Sequence, residues 1–253
     1  MENNYILEIS DLNISYDGDK QAIENVSVSI KPNIIVSIIG PSACGKTTFL
    51  RAINRMHELY PSIRTSGKIL LNGRDIMEMN VIDVRRKAGM VFHTPNVFPS
   101  MSIYDNVVAG YKLNRISLSR IKKNIIVEES LKDVGLWYEI KDDLRKKPLF
   151  LTTGQQQRLC IARTIALDPE ILLMDEPTSS LDGECTDKIE NLMYKLKDKH
   201  TIIFTTHNLS QSARISDYTM FLKDGRLIEY GITSNIFWKP EMNETEKYIT
   251  SQI

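Results

Sequence analysis

Four short apolar runs along the chain predict a sheet of buried strands. They cover residues 34–39, 88–92, 171–174 and 202–204, and each is shorter than a typical helix. A strand that is apolar at nearly every position must be covered on both faces, as in a parallel sheet flanked by helices. Helical patterns lie between these runs, so the sequence predicts an α/β fold.

Alternation of apolar and polar residues predicts a second, antiparallel layer. Residues 7–9 and 26–30 alternate in this way, as half-buried strands do. The Asn72-Gly73 pair predicts a tight hairpin turn, and Asp224-Gly225 predicts another within residues 218–231. We therefore expect a small antiparallel β-subdomain beside the parallel core.

The middle of the chain changes to helical periodicity with many charges, for example over residues 121–131. We predict that residues 96–162 form an inserted helical lobe. Residues 1–95 and 163–253 are then expected to form the core together with the antiparallel layer.

Composition narrows the classes of function without selecting one. Lys plus Arg and Asp plus Glu both number 32, and this zero net charge argues against a nucleic-acid partner. The three cysteines are scattered, as in a reduced cytosolic protein. No apolar run approaches the length of a bilayer span, so we expect any work at a membrane to require partner subunits.

Residues 40–48 predict a phosphate-binding loop, because a strand precedes them and a helical pattern follows. Backbone N–H groups and the helix start would converge on phosphate oxygens. Lys46 would reach the β- and γ-phosphates, and the Thr47 hydroxyl would bind Mg²⁺. The residues expected to bind the nucleotide in this segment are Gly40, Pro41, Ser42, Ala43, Cys44, Gly45, Lys46, Thr47 and Thr48.

Two carboxylates follow the buried run 171–174 and predict the chemical part of the site. Asp175 and Glu176 would stand at the carboxyl edge of the sheet, where ligands bind in open α/β folds. Asp175 suits Mg²⁺ binding, and Glu176 suits polarising the water that attacks the γ-phosphate. The alternative is a pair of ordinary surface carboxylates, which the phosphate loop upstream disfavours.

The segment 151–158, Leu-Thr-Thr-Gly-Gln-Gln-Gln-Arg, resembles the L-S-G-G-Q signature of ATP-binding-cassette (ABC) ATPases. Tyr16 stands where this family has an aromatic residue that stacks on adenine. Asp182 matches its D-loop, and His207 matches its switch histidine. The resemblance covers nearly the whole chain in order and spacing.

The resemblance implies a P-loop NTPase fold with a RecA-like parallel-sheet core, an N-terminal antiparallel β-subdomain and an inserted helical lobe. It also implies a head-to-tail homodimer that binds two ATP molecules with Mg²⁺. Glu176 would orient water, His207 would hold the γ-phosphate and Asp182 would communicate across the interface. The signature residues that would contact ATP on the other copy are Thr152, Thr153, Gly154 and Gln155.

Within the family the chain is most similar to ATPase subunits of bacterial phosphate importers, on residues 58–61, 101–107, 135–137, 155–163, 206–208 and 212–217. This implies a peripheral protein on the cytoplasmic face of the cell membrane. Its partners would be two polytopic permease subunits and, through them, an extracytoplasmic phosphate-binding protein. An importer for another small solute, or a soluble ABC ATPase in DNA repair or translation, are the alternatives.

Three positions depart from the family pattern. His93 replaces a glutamine that the resemblance assigns to the metal and the attacking water, and imidazole is a poorer Mg²⁺ ligand than an amide oxygen. It is either a tolerated polar substitute or a cause of slower, pH-sensitive turnover. Thr153 replaces a glycine and should weaken closure around ATP, although Thr152 with Gln155 also fits a capping box that opens a helix.

The third departure is Ala43, also in place of glycine, which we expect to be tolerated if its φ is negative. His93 and Thr153 leave a further alternative open, an ATP-binding switch with weakened hydrolysis. Away from the motifs, His57 and His200 are expected at the surface, and Trp238 is expected to pack inside.

Overall fold

The computed structural model describes residues 5–16, 20–60 and 62–251, so parts of the predicted core near both termini lie outside it. The strands in this part of the chain are β1 (Leu7–Tyr16), β2 (Lys20–Ile30), β3 (Ile35–Ile39), β4 (Arg64–Leu71), β5 (Arg74–Asp75), β6 (Ala88–Val91), β7 (Ile171–Asp175), β8 (Thr201–Thr205), β9 (Tyr218–Lys223) and β10 (Arg226–Ile232).

The helices over the same residues are α1 (Lys46–Ile53), α2 (Val81–Lys87), α3 (Ile103–Val107), α4 (Ala109–Leu113), α5 (Arg120–Asp133), α6 (Trp137–Ile140), α7 (Thr153–Ile165), α8 (Gly183–Leu196), α9 (Leu209–Ile215), α10 (Thr233–Trp238) and α11 (Asn243–Thr250). Two 3-10 turns lie at His57–Leu59 and Pro148–Phe150. None of these described helices is both long and apolar enough to cross a bilayer.

The larger sheet has the strand order β10-β9-β3-β8-β7-β6, and the strands from β9 to β6 are parallel. Every residue of β3, β7 and β8 is buried, which confirms the interpretation of the apolar runs. The carboxyl ends of these three strands meet at one edge of the sheet. They lead into the phosphate loop, into Glu176 and toward His207, so the topology gathers the predicted chemistry.

The smaller sheet is antiparallel, with the order β2-β1-β4-β5. Its last hairpin turns at Asn72 and Gly73, with φ of 49° and 72°. Asp224 and Gly225, with φ of 50° and 79°, turn the hairpin of β9 and β10. Both predicted hairpins are confirmed, because Asn, Asp and Gly accept the positive φ that these turns need.

Helices α3 to α7 lie between β6 and β7. They surround a second apolar cluster that includes Val107, Leu131 and Leu159 and is continuous with β7 and β8. The predicted capping box of α7 is present, with Thr152 as the N-cap. The sequence predicts this helix over residues 155–167, and the observed helix begins two residues earlier. How the chain divides into subdomains stays a prediction.

Three expectations about single residues are wrong. His57 and His200 are only 1% and 3% exposed: the first is the buried residue of the 3-10 turn His57–Leu59, and the second precedes the buried strand β8. His200 Nδ1 lies 2.6 Å from the carbonyl of Pro169. Trp238 is 89% exposed at the end of α10, whereas we expected it to pack inside.

Candidate nucleotide-binding site

The phosphate loop connects β3 to α1 and depends on two glycines. Gly40 and Gly45 have φ of 149° and 106°, and a Cβ at either would lie within 2.5 Å of a backbone carbonyl oxygen. Only glycine fits both requirements. The Lys46 Nζ, which is buried, donates to the carbonyls of Gly40 (2.7 Å) and Pro41 (2.8 Å). The loop therefore holds its ammonium group where the phosphates are expected.

Ala43 has φ of 62°, whereas we expected an alanine to be tolerated here only with a negative φ. A side chain in this left-handed region costs about 1–2 kcal/mol relative to glycine. The neighbouring Cys44 is buried, and burial raises the pKa of its thiol. Cys44 thus has the character of a small space-filling residue.

Asp175, at the end of β7, links two neighbouring elements of the site. Its Oδ1 accepts hydrogen bonds from the Thr47 hydroxyl (2.9 Å) and the Thr205 hydroxyl (2.8 Å). These bonds aim a buried carboxylate at the start of α1. Carboxylate and hydroxyl oxygens are the donors that Mg²⁺ prefers, and the ion usually completes its shell with substrate phosphates and water. The donor set therefore fits Mg²⁺ bound together with a nucleotide.

Glu176 and His207 come together although 31 residues separate them. The Nδ1 of His207 lies 3.1 Å from Glu176 Oε2. Glu176 has φ of 44°, and its backbone N–H donates to the Thr205 hydroxyl at 2.9 Å. This hydrogen bond stabilises a left-handed conformation that turns the Glu176 side chain out of the strand direction toward the loop.

The site opens into a cleft of about 680 Å³ with an aromatic end. Tyr16 lies there with its hydroxyl 3.3 Å from the Thr48 hydroxyl, and its stacking on adenine stays a prediction. Tyr60 stands edge-on to Tyr16, with ring centroids 5.8 Å apart, and its hydroxyl accepts a hydrogen bond from Arg51. The described lining consists of Tyr16, Gln21, Ala22, Ser42, Ala43, Gly45, Lys46, Thr47, Thr48, Tyr60 and Glu176.

Tyr60 was missed by the sequence reasoning as a site residue. An aromatic residue in an irregular segment just after the helix of a phosphate loop is the one signal that could have suggested it.

The signature lies outside this cleft. Thr152 Oγ1 accepts from the Gln155 N–H at 3.3 Å, and Gln155 Oε1 accepts from the Thr152 N–H at 3.0 Å. Thr153 is exposed, whereas a Cβ on Gly154 would lie 2.5 Å from Cys185 Sγ. Residues 152–155 are not among the described residues that line the cleft. Within one chain, therefore, the structure does not bring the signature to the phosphate loop.

His93 and Asp182 are also not among the described residues that line the cleft. His93 is exposed, and its carbonyl accepts a hydrogen bond from Ser180 at 3.2 Å. Asp182 caps α8 by accepting from the Cys185 N–H, and this hydrogen bond lowers the pKa of the Asp182 carboxyl. His93 is thus not placed among the described groups around Asp175 and Thr47, where the resemblance put it.

Gln157 is a further residue that the sequence reasoning missed. Its buried side-chain amide donates to the carbonyls of Phe92 (2.9 Å) and Pro177 (3.2 Å). It thereby ties α7 to the segment before His93 and to the segment after Glu176. Its spacing on the inner face of α7 was visible in the sequence, but its partners were not.

Comparisons with known proteins find similar sequences and similar folds. The family model described as ABC transporter matches residues 23–179. A "Phosphate import ATP-binding protein PstB" of Rubrobacter xylanophilus is 48% identical over 98% of this chain and 88% of that protein.

Two solved structures are similar in fold. The dimeric ATP-binding cassette MJ0796, in a post-hydrolysis state bound to ADP and Pi, has a TM-score of 0.76 and 28% identity over 90% of this chain and 98% of its own. The cbiO1 protein of Clostridium perfringens, part of the ABC transporter complex cbiONQ, has a TM-score of 0.81 and 26% identity over 99% of this chain and 98% of its own.

Proposed function

The chain belongs to the ABC transporter family, and we propose that it is the ATP-hydrolysing subunit of an importer for inorganic phosphate. ATP binding and hydrolysis are the work of this family's fold. The observation that carries the proposal is a cleft lined by Lys46, Thr47 and Glu176. Asp175 accepts a hydrogen bond from Thr47, and the ring of His207 lies 3.1 Å from the Glu176 carboxylate. Phosphate as the solute rests on the likeness to the phosphate import protein, because the cleft binds the nucleotide and not the cargo.

In the proposed mechanism the triphosphate lies along the loop of residues 40–48. The buried ammonium of Lys46 neutralises its β- and γ-oxygens, and Tyr16 stacks on the base. Thr47 and Asp175 would hold Mg²⁺, which when bound neutralises charge on the phosphate oxygens. Glu176 orients the attacking water, and His207, within reach of the same carboxylate, contacts the γ-phosphate.

A second copy of the chain would complete each site. One face of the cleft is open, and the signature residues Thr152 and Gly154 are outside it in the same chain. A head-to-tail homodimer would place these residues over the γ-phosphate of the partner, with Asp182 at the interface. The dimeric ATP-binding cassette with a similar fold supports this arrangement.

The permease subunits are proposed to dock beside residues 93–106. A surface groove of about 210 Å³ lies there, between the end of α2, Phe98 and α7. It combines three arginines with apolar side chains such as Leu113 and Leu167. Arg163 stacks on Phe98 at 4.7 Å, and burial lowers the pKa of its guanidinium. A permease helix with an apolar face and a carboxylate suits this groove.

In this proposal the protein is held at the cytoplasmic face of the membrane by two such permeases. Phosphate reaches them from an extracytoplasmic binding protein. The helical insert, residues 96–162, would move with the permeases as the dimer closes and opens.

The proposal is tested by reconstituting the protein with permeases encoded beside it. ATP-dependent uptake of radiolabelled phosphate is expected, and Glu176→Gln should lower ATPase activity by about 10²–10⁴-fold. ATP-dependent uptake of a different solute, without uptake of phosphate, would instead indicate an importer for that solute. Activity of the parent no higher than that of Glu176→Gln would favour an ATP-binding switch, as the departures at His93 and Thr153 suggest.

A further inference from the structure

Glu139 lies on α6 of the helical insert and receives hydrogen bonds from two residues of the signature helix α7. Arg158 Nη1 and Nη2 reach its two carboxylate oxygens at 2.8 and 2.9 Å. Gln155 Nε2 donates to Oε2 of the same carboxylate at 2.9 Å. Glu139 therefore joins the first turn of α7 to a neighbouring helix.

The amide of Gln155 uses both of its ends. Its nitrogen donates to Glu139, and its oxygen accepts from the Thr152 backbone N–H, the reciprocal half of the capping box. A continuous chain of hydrogen bonds thus runs from Arg158 through Glu139 and Gln155 to Thr152, the N-cap of the signature helix. We propose that Glu139 is a positioning residue that fixes the signature for ATP held by a second copy of the chain.

Charge makes this contact stronger than an ordinary surface ion pair. The Arg158 side chain is 8% exposed and the Glu139 side chain 37% exposed. Burial alone would raise the pKa of Glu139, but the hydrogen bonds from Arg158 and Gln155 outweigh it, so the net pKa is lowered. The carboxylate is ionised at neutral pH, and its bidentate pairing with a planar guanidinium fixes direction as well as distance.

The opposite side of the same turn is fixed by packing. The backbone of Gly154 approaches Cys185 on α8 so closely that a Cβ would overlap the sulfur. Steric contact with Cys185 therefore stops the first turn of α7 from moving toward α8. The hydrogen bond from Gln155 to Glu139 holds the same turn to α6. Removing Glu139 would free the Gln155 amide and leave the Arg158 guanidinium with the Gly135 carbonyl as its described hydrogen-bond partner.

This inference rests on the proposed function, because the signature acts only on the ATP of another copy. It predicts a specific defect. Glu139 does not line the cleft, so its loss should spare ATP binding to a single chain. ATP-driven dimerisation, which needs the signature in place, should be weakened.

The test measures, by sedimentation, the ATP concentration that gives half-maximal dimer in a Glu176→Gln background. Glu139→Ala should raise this concentration about tenfold, as expected for the loss of one hydrogen bond to a charged group. Glu139→Gln, which keeps an acceptor without the charge, should have a smaller effect and serves if Glu139→Ala does not fold. Glu128→Ala is the matched control, since Glu128 pairs with Lys132 on the exposed face of α5.

Two further measurements separate positioning from general stability. The affinity of single chains for a fluorescent ATP analogue should change less than about twofold in Glu139→Ala. In a Gln155→Ala background, Glu139→Ala should raise the ATP concentration for half-maximal dimer only slightly further, because Glu139 acts on the signature through Gln155.

The outcomes are distinct. Dimerisation of Glu139→Ala at the parent's ATP concentration overturns the inference, and so does an equal loss in Glu128→Ala or full additivity with Gln155→Ala. A Glu176→Gln parent that binds ATP and stays monomeric overturns the proposed dimer itself, and the inference with it.

Discussion

At the scale of single residues, the phosphate loop contains a strained alanine. Ala43 has φ of 62°, and a glycine there would relieve about 1 kcal/mol after its greater unfolded-state entropy is deducted. We expect Ala43→Gly to raise the free energy of unfolding in urea by about this amount. Ala52→Gly is the control, because Ala52 is buried inside α1, where glycine should lower stability by about 1 kcal/mol or more. A loss of stability in both variants would contradict the strain at Ala43.

His57 makes stability depend on pH. Burial lowers its pKa from the ordinary value of 6.5, so the folded state favours the neutral ring. The unfolded chain then binds more protons near and below pH 6.5, and the free energy of unfolding falls as the pH is lowered through this range.

Comparing the free energy of unfolding at pH 7.5 and pH 5.5 tests this. The difference between the two pH values should shrink in His57→Gln. An unchanged difference would exclude His57 as the cause.

At the scale of elements, the start of α7 is packed too tightly for any side chain at Gly154. Alanine normally stabilises a helix relative to glycine, but a Cβ there would lie 2.5 Å from Cys185 Sγ and 3.1 Å from its Cβ. Gly154→Ala should therefore lower the free energy of unfolding by about 1–3 kcal/mol, the usual cost of overpacking. Cys185→Ala should recover part of this loss, because it removes the sulfur and keeps the Cβ.

Gly183→Ala is the matched control for this pair, since nothing lies within 4 Å of a Cβ at the first residue of α8. It should be neutral or stabilising in the same urea titration. If Gly154→Ala were equally harmless, the close approach of α7 and α8 would not constrain the signature.

The elements were predictable where local chemistry decides them. Apolar runs specify β3, β7 and β8, and the Asn72-Gly73 and Asp224-Gly225 turns need little tertiary context. The positive φ of Ala43 could not be predicted in this way, because it depends on how the whole loop packs against neighbouring strands. Tyr60 lines the cleft from an irregular segment, and the pattern of apolar and polar residues does not predict the path of such a segment. The contact of Glu139 with Gln155 joins two helices, and only their packing reveals it.

At the scale of the whole molecule, the proposed function requires two chains to close over ATP, and Thr153 is the residue that should limit closure. It is exposed at the first position of α7, so its side chain would meet the partner's phosphates rather than its own chain. A β-branched side chain at that point keeps the backbone N–H groups away from an incoming anion. Thr153→Gly should therefore tighten the ATP-driven dimer, by about tenfold if closer approach adds one hydrogen bond to a charged oxygen.

Sedimentation of Thr153→Gly in a Glu176→Gln background measures this gain. Thr153→Gly both removes the β-branched side chain and makes the backbone more flexible, and Thr153→Ala separates these two effects. Thr153→Ala removes the branch alone and should give part of the gain in dimer affinity. A dimer no tighter in either variant would mean that the family's glycine is not needed for approach in this chain. The tighter dimer should also open more slowly after hydrolysis. The threonine, which weakens closure, would then favour faster release of the two chains, and this links one exposed side chain to the rate of the whole transport cycle.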